Sequence, residues 1–160
     1  MRYEILSAAI VGCILLMSAT AALAGDESRS YGGRVGYGDD PDQFVCGLQA
    51  DVGEVYRLTH FVPSIDAGFG NDVTTLTFNG DLKVYLPLPK STVMFYGLAG
   101  PAITIWSADS GGSDTEIGAY LGLGARMGLS TSGWYNLEAR FGIGDVPDLR
   151  IMLGVLFGGR

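Results

Sequence analysis

The sequence predicts an all-β fold, an eight-stranded antiparallel up-and-down transmembrane β-barrel made behind an N-terminal signal peptide. Three observations predict it. Apolar residues alternate with Gly or polar residues over nearly all of the chain beyond residue 25, which is the period of a strand. The polar face of that alternation is mostly Gly, with a charge only every several residues, unlike a wall that faces water. The first 24 residues form an export signal: Arg2, an apolar run from Ile5 to Leu23, and small Ala22 and Ala24 at an A-x-A-like cleavage site.

The elements follow in order. Cleavage after Ala24 leaves residues 25–160 as one barrel domain; the small-residue ending and the change to Asp26-Glu27-Ser28-Arg29 favour removal over a retained anchor. Ile10-Val11-Gly12-Cys13 has the form of a lipoprotein box, but the apolar run continues well past Cys13, so the match is read as chance. The mature chain then keeps Cys46 alone, which excludes an intrachain disulfide and a thiolate metal site.

Strands are expected at Ser30 to Gly38, Phe44 to Gly53, Val55 to Gly70, Val73 to Leu86, Thr92 to Trp106, Thr115 to Leu129, Trp134 to Ile143 and Leu149 to Phe157. The most regular sets Ile117, Leu121, Leu123 and Met127 against Glu116, Tyr120 and Arg126, with Gly at every other polar position. Pro63 and Pro101 each remove a ladder donor, and a bulge is expected at each. The charge-free run from Ser91 to Ala108 could also be a transmembrane helix, but Gly97, Gly100 and Pro101 interrupt it and its Val, Ile, Tyr and Trp favour strand.

Alternation alone does not separate a membrane barrel, apolar outward, from a lipocalin-like barrel, apolar inward. The polar set decides for the first. Arg34, Lys83, Arg126, Arg140 and Arg150 face Asp51, Asp66, Asp81, Glu116 and Glu138, a balance suited to a narrow lumen in which an unpaired charge is expensive. With about eight strands the interior is just filled by side chains, so these ten residues are expected to form an interior ion-pair network and not a water channel. Tyr31, Tyr37, Phe44, Trp106, Tyr135 and Phe157, near strand ends, suit interfacial aromatic girdles.

With these strands in place, the mature chain resembles the OmpA/OmpX-type small barrels of the porin-like outer-membrane β-barrel superfamily. The closing Leu149, Ile151, Leu153, Val155 and Phe157 resemble that family's C-terminal strand, although Gly158-Gly159-Arg160 follow the terminal aromatic. The resemblance implies residence in the bacterial outer membrane among lipid and lipopolysaccharide, insertion by the barrel assembly machinery, and a structural or surface-interaction role without catalytic residues. With the N-terminus in the periplasm, Asp39, Asp40, Asp42, Asp72, Asp109, Asp114, Asp145 and Asp148 fall on cell-surface loops with no base among them. Arg29, Arg57, Lys90 and Arg160 join Asp26, Glu27 and Glu54 at the other end.

The net charge of −7 and the absence of Lys/Arg clusters argue against nucleic acid, and no cofactor motif is present. Gly118 to Gly128 is not a phosphate loop, since its glycines recur along one strand face and open no helix. An enzyme alternative, a lipid A-modifying barrel, would have to use His60, with Ser64 and Asp66 following it. A narrow solute pore is the other rival, disfavoured by the balanced interior charges. Asp39, Asp40 and Asp42 could form a weak Ca²⁺ or Mg²⁺ rim, though no EF-hand spacing supports one.

Overall fold

A closed ring of eight long antiparallel strands encloses the charged side chains. The computed structural model describes residues 29–89, 91–108, 110–129 and 133–158. The signal segment with its Cys13, and Asp26, Glu27, Lys90, Asp109 and Arg160, lie outside the described residues. The elements are β1 (Ser30–Asp39), β2 (Gln43–Asp51), β3 (Glu54–Tyr56), β4 (Thr59–Gly70), β5 (Val73–Pro87), β6 (Val93–Ala108), β7 (Gly112–Leu129), β8 (Gly133–Gly144) and β9 (Leu149–Gly158). The run expected to begin at Val55 is divided, because the chain turns at Leu58 (φ 61°) and lays the short β3 back on the start of β4.

Each long strand pairs with the next in sequence, β2 with β4, and β1 pairs with β9 from Ser30↔Gly158 to Asp39↔Leu149, which closes the ring. Closure removes the free edges that an open sheet would present. Ser91 to Ala108 forms a strand over most of its length, paired on both sides, and no helix among the described residues is long and apolar enough to cross a membrane.

No register shift occurs at either proline. The ladder of Pro63 with β5 runs without interruption, and on its other side the β2–β4 ladder ends one residue earlier, at Gln49↔Ser64. Across from Pro101 the β5–β6 ladder lapses between Asn79↔Ala102 and Leu82↔Ala99 and then resumes in the same register. A residue in an antiparallel strand directs its N–H to one neighbour only, so a missing donor costs a rung and does not require an extra residue. The expected bulges are therefore replaced by local gaps.

Burial follows the alternation with apolar residues outward. Ile117 is 73% exposed and Leu123 69%, whereas Arg140 and Arg150 are 0% exposed. Tyr31 stands opposite Phe157 at the end where β1 begins and β9 finishes, the terminal end, and Tyr37 opposite Phe44 at the far end, so two aromatic bands border the apolar belt. The far end is acidic: Asp39, Asp40, Asp42, Asp72, Asp114, Asp145 and Asp148 are all exposed there.

The β8–β9 connection folds into the mouth at the acidic end. Gly144 takes φ 88°, a left-handed conformation open to Gly, and the chain then directs Val146 and Pro147 inward, where both are buried. Gly118 and Gly142 leave room for them: a Cβ at Gly118 would lie 2.8 Å from a Val146 methyl, and one at Gly142 would lie 2.3 Å from the Pro147 carbonyl oxygen. The Asp148 carbonyl accepts from the Gly142 N–H at 2.7 Å and pins the loop.

The outward belt predicts a sign for surface substitutions. Leu123→Arg, in the middle of β7, is expected to destabilise the barrel in lipid vesicles by ~2–4 kcal/mol, the cost of an Arg near the bilayer midplane. Urea unfolding of the vesicle-embedded protein checks it, and an equal loss in detergent micelles would indicate a packing defect instead.

Candidate functional site: the charged lumen

Three tiers of polar side chains fill the barrel from the terminal end to the acidic end. At the terminal end, Arg126 donates to Asp51 at 3.1 Å, to the Tyr85 hydroxyl at 3.2 Å and to Ser30 at 3.3 Å. Its guanidinium lies 4.4 Å from the Trp134 ring centre. His60 approaches Asp51 through Nδ1 at 2.8 Å and packs edge-on against Tyr85. Asp51 also accepts from the Gly53 N–H at 3.0 Å, which ties this tier to the β2–β3 turn.

The middle tier holds two shared carboxylates. Arg34 grips Asp66 with two hydrogen bonds, Nε to Oδ1 at 2.8 Å and Nη2 to Oδ2 at 2.6 Å, and reaches Glu138 with Nη1 at 3.3 Å. Glu138 also receives Lys83, Tyr96 at 2.9 Å and Asn136 at 3.1 Å. Asp66 takes a further hydrogen bond from Asn79 at 2.9 Å. Arg140 is hydrogen-bonded to Asp81 and stands at ionic distance from Asp66, 3.8 Å, and Glu138, 4.0 Å. Ionised Asp and Glu only accept, and Arg and Lys only donate, so strands alternating the two types can saturate a lumen with little water.

The third tier, toward the acidic end, is richer in donors. Arg150 donates to Thr77 at 3.1 Å, and Thr77 contacts Thr104 at 3.2 Å. Gln43 accepts from Thr75 at 2.5 Å. The guanidinium carbons of Arg140 and Arg150 stand 4.9 Å and 5.5 Å from the Tyr120 ring centre. Val146 and Pro147 are buried at this end, against Gly118 and Gly142.

Nine of the ten residues expected inside are buried in the lumen: Arg34, Asp51, Asp66, Asp81, Lys83, Arg126, Glu138, Arg140 and Arg150. Glu116 is not among them. It faces Thr104 in the part of β7 paired only with β6, beyond the Gly118↔Gly144 rung where β8 ends, so it stands on a projecting hairpin and makes no ion pair with any described residue. The buried set therefore has five cations and four anions in place of the expected balance.

Sequence reasoning passed over Tyr96, Gln43, Thr75, Thr77 and Thr104, all of which face inward. Extending the two-residue period through Thr92 to Trp106 would have found Tyr96, since it falls on the face of Leu98, Ala102 and Thr104. His60 is directed to Asp51, while Ser64 accepts from Arg34 at 2.7 Å and from Asn79 at 3.1 Å, so His60, Ser64 and Asp66 do not assemble as a catalytic set. At the acidic rim, Asp42 accepts from Tyr37 at 2.6 Å and Asp39 from the Asp40 N–H at 3.1 Å. No group of three or more His, Cys, Asp or Glu among the described residues is arranged to hold a metal ion, and Asp39, Asp40 and Asp42 form no such group.

Fold and lumen together define a class: small, closed, eight-stranded up-and-down barrels with an apolar exterior and a charged, side-chain-filled interior. The solved structures it resembles are small outer-membrane barrels. The N-terminal β-barrel domain of Pseudomonas aeruginosa OprF aligns with TM-score 0.69 at 15% identity, covering 82% of this chain and 97% of that one. Neisserial surface protein A aligns with TM-score 0.62 at 13% identity, covering 81% and 95%. Ail, the attachment invasion locus protein of Yersinia pestis, aligns with TM-score 0.52 at 17% identity, covering 81% and 95%. No family model and no curated protein matches the sequence.

Breaking one member of a buried network leaves the others uncompensated. Arg140→Ala is expected to lower unfolding stability by ~3–5 kcal/mol, whereas Glu116→Gln on the projecting hairpin should change it by less than about 0.5 kcal/mol. Denaturant unfolding of both variants checks the contrast.

Proposed function

We propose that this chain is an exported, outer-membrane-resident barrel with a closed, ion-paired lumen, serving a structural or surface-interaction role and not solute transport or catalysis. The observation that carries the reading is the inversion of burial, with Ile117, Leu121 and Leu123 outward and Arg34, Asp66, Glu138, Arg140 and Arg150 inward. In water such an exterior would be a contiguous apolar patch around the whole molecule, far beyond what soluble monomers expose. In a bilayer it is the favoured arrangement, because every strand finds its hydrogen bonds within the ring.

The buried side chains of all three tiers argue against the solute-pore alternative, as does the inward Val146-Pro147 loop. Pairing of His60 with Asp51 and the commitment of Ser64 to Arg34 weigh against a lipid A-modifying enzyme. For a surface role, the acidic end supplies exposed Asp residues on short loops. Ail has been solved in complex with the heparin analogue sucrose octasulfate. The exposed Asp residues here, with no exposed Lys or Arg at that end among the described residues, suit a polycationic or neutral partner better than a sulfated one.

Mature protein should begin near Gly25 and fractionate with the outer membrane, migrating differently on gels before and after boiling. Planar-bilayer recordings should show no large, stable conductance. Recovery in the soluble periplasm would overturn the location, and steady openings would replace the closed barrel with the pore.

A further inference from the structure

We propose that the lumen compartment nearest the acidic end binds one small monovalent inorganic anion of the chloride class, seated against Arg150. Among the described residues the buried lumen holds five cations and four anions, leaving one positive charge in excess. Four of the five are arginines, which do not lose their protons, and Lys83 is held by Glu138. Locally the excess falls on Arg150. Arg34, Lys83, Arg126 and Arg140 each hydrogen-bond a carboxylate, whereas Arg150 hydrogen-bonds none and only stands at ionic distance, 3.7 Å, from Asp66, which Arg34 already grips.

The donors around Arg150 point to the same ligand. Arg150 Nε and Nη1, the Tyr120 hydroxyl and Gln43 Nε2 are buried and have no hydrogen-bond partner among the described residues. Gln43 and Arg150 flank Gly38, whose Cβ, if present, would lie 3.3 Å from Gln43 Cγ and 3.5 Å from Arg150 Cγ. Tyr120 packs its ring beneath the Arg150 guanidinium. A water molecule could satisfy these donors but would leave the excess positive charge of the lumen in a low-dielectric interior, where charge without full compensation is costly. One monovalent anion satisfies the donors and the charge together, and the tightness of an eight-stranded lumen selects a small one.

The exposed Asp rim does not cancel this site, because its carboxylates are solvated, whereas Arg150 is buried. Because the site is buried, the protein is refolded in each salt so that the ion can enter as the barrel closes.

The test is refolding of the mature chain in sodium chloride, sodium bromide or sodium gluconate at equal ionic strength, followed by thermal unfolding. The expected result is a midpoint that rises with the logarithm of halide concentration and does not respond to gluconate. Arg150→Met should fold, since no hydrogen-bonded carboxylate is left unpaired, and should lose the halide dependence; Tyr120→Phe should weaken the halide affinity severalfold. Crystals grown in bromide should show an anomalous peak beside Arg150, and this decides the matter if Arg150→Met fails to fold. Identical midpoints in halide and gluconate, unchanged halide dependence in Arg150→Met, or no bromide peak would each overturn the proposal. Because the site presumes the closed lumen, bilayer conductance measured in parallel separates the two: steady openings with halide dependence intact sink the closed barrel and leave the site standing.

Discussion

The shared carboxylates of Asp66 and Glu138 are the constraint on which the barrel depends. Between them they hold Arg34, Lys83, Tyr96, Asn79 and Asn136, and they lie within ionic distance of Arg140. These partners come from β1, β5, β6 and β8, while the acids themselves sit on β4 and β8. Because the exterior meets an apolar medium in this reading, interior apolar burial is modest and side-chain hydrogen bonding carries much of the specificity. A barrel in a different register would offset these carboxylates from their cations, at a cost set by uncompensated buried charge.

That dependence also explains where glycine occurs. A lumen occupied by guanidinium groups and tyrosine rings has no space for side chains at every inward position. At Gly124 a Cβ would lie 2.3 Å from the Tyr96 ring, and at Gly154 it would lie 2.4 Å from the Asn136 amide oxygen. The glycines of the polar face are thus the complement of its large residues. Their number reflects the bulk of the network and has no bearing on phosphate recognition.

The strand set and the inward position of nine of its ten charged candidates were legible from sequence because a two-residue period survives through each strand. Three features were not. Glu116 shares the inward face of β7, and only the lengths of neighbouring strands show that the barrel has ended by that point. The prolines suggested bulges because sequence does not reveal which neighbour each residue addresses. Val146 and Pro147 lie in a loop by every local signal, and their burial is set by the small residues at Gly118 and Gly142 on the facing wall. In each case the missing information is a relation between strands, which periodicity within one strand cannot express.

The seam between β1 and β9 unites the first and last described strands. The first strand therefore stays unpaired on one side until the last has been delivered, and the ring cannot form progressively. Arg34 from β1 and Arg150 from β9 must shed their water in that final event, together with the edges of both strands. Closure of the ring consequently waits on β9. A chain that stops short of Leu149 would have every other strand available and still present two open, hydrogen-bond-hungry borders, a target for quality control and for association with other chains.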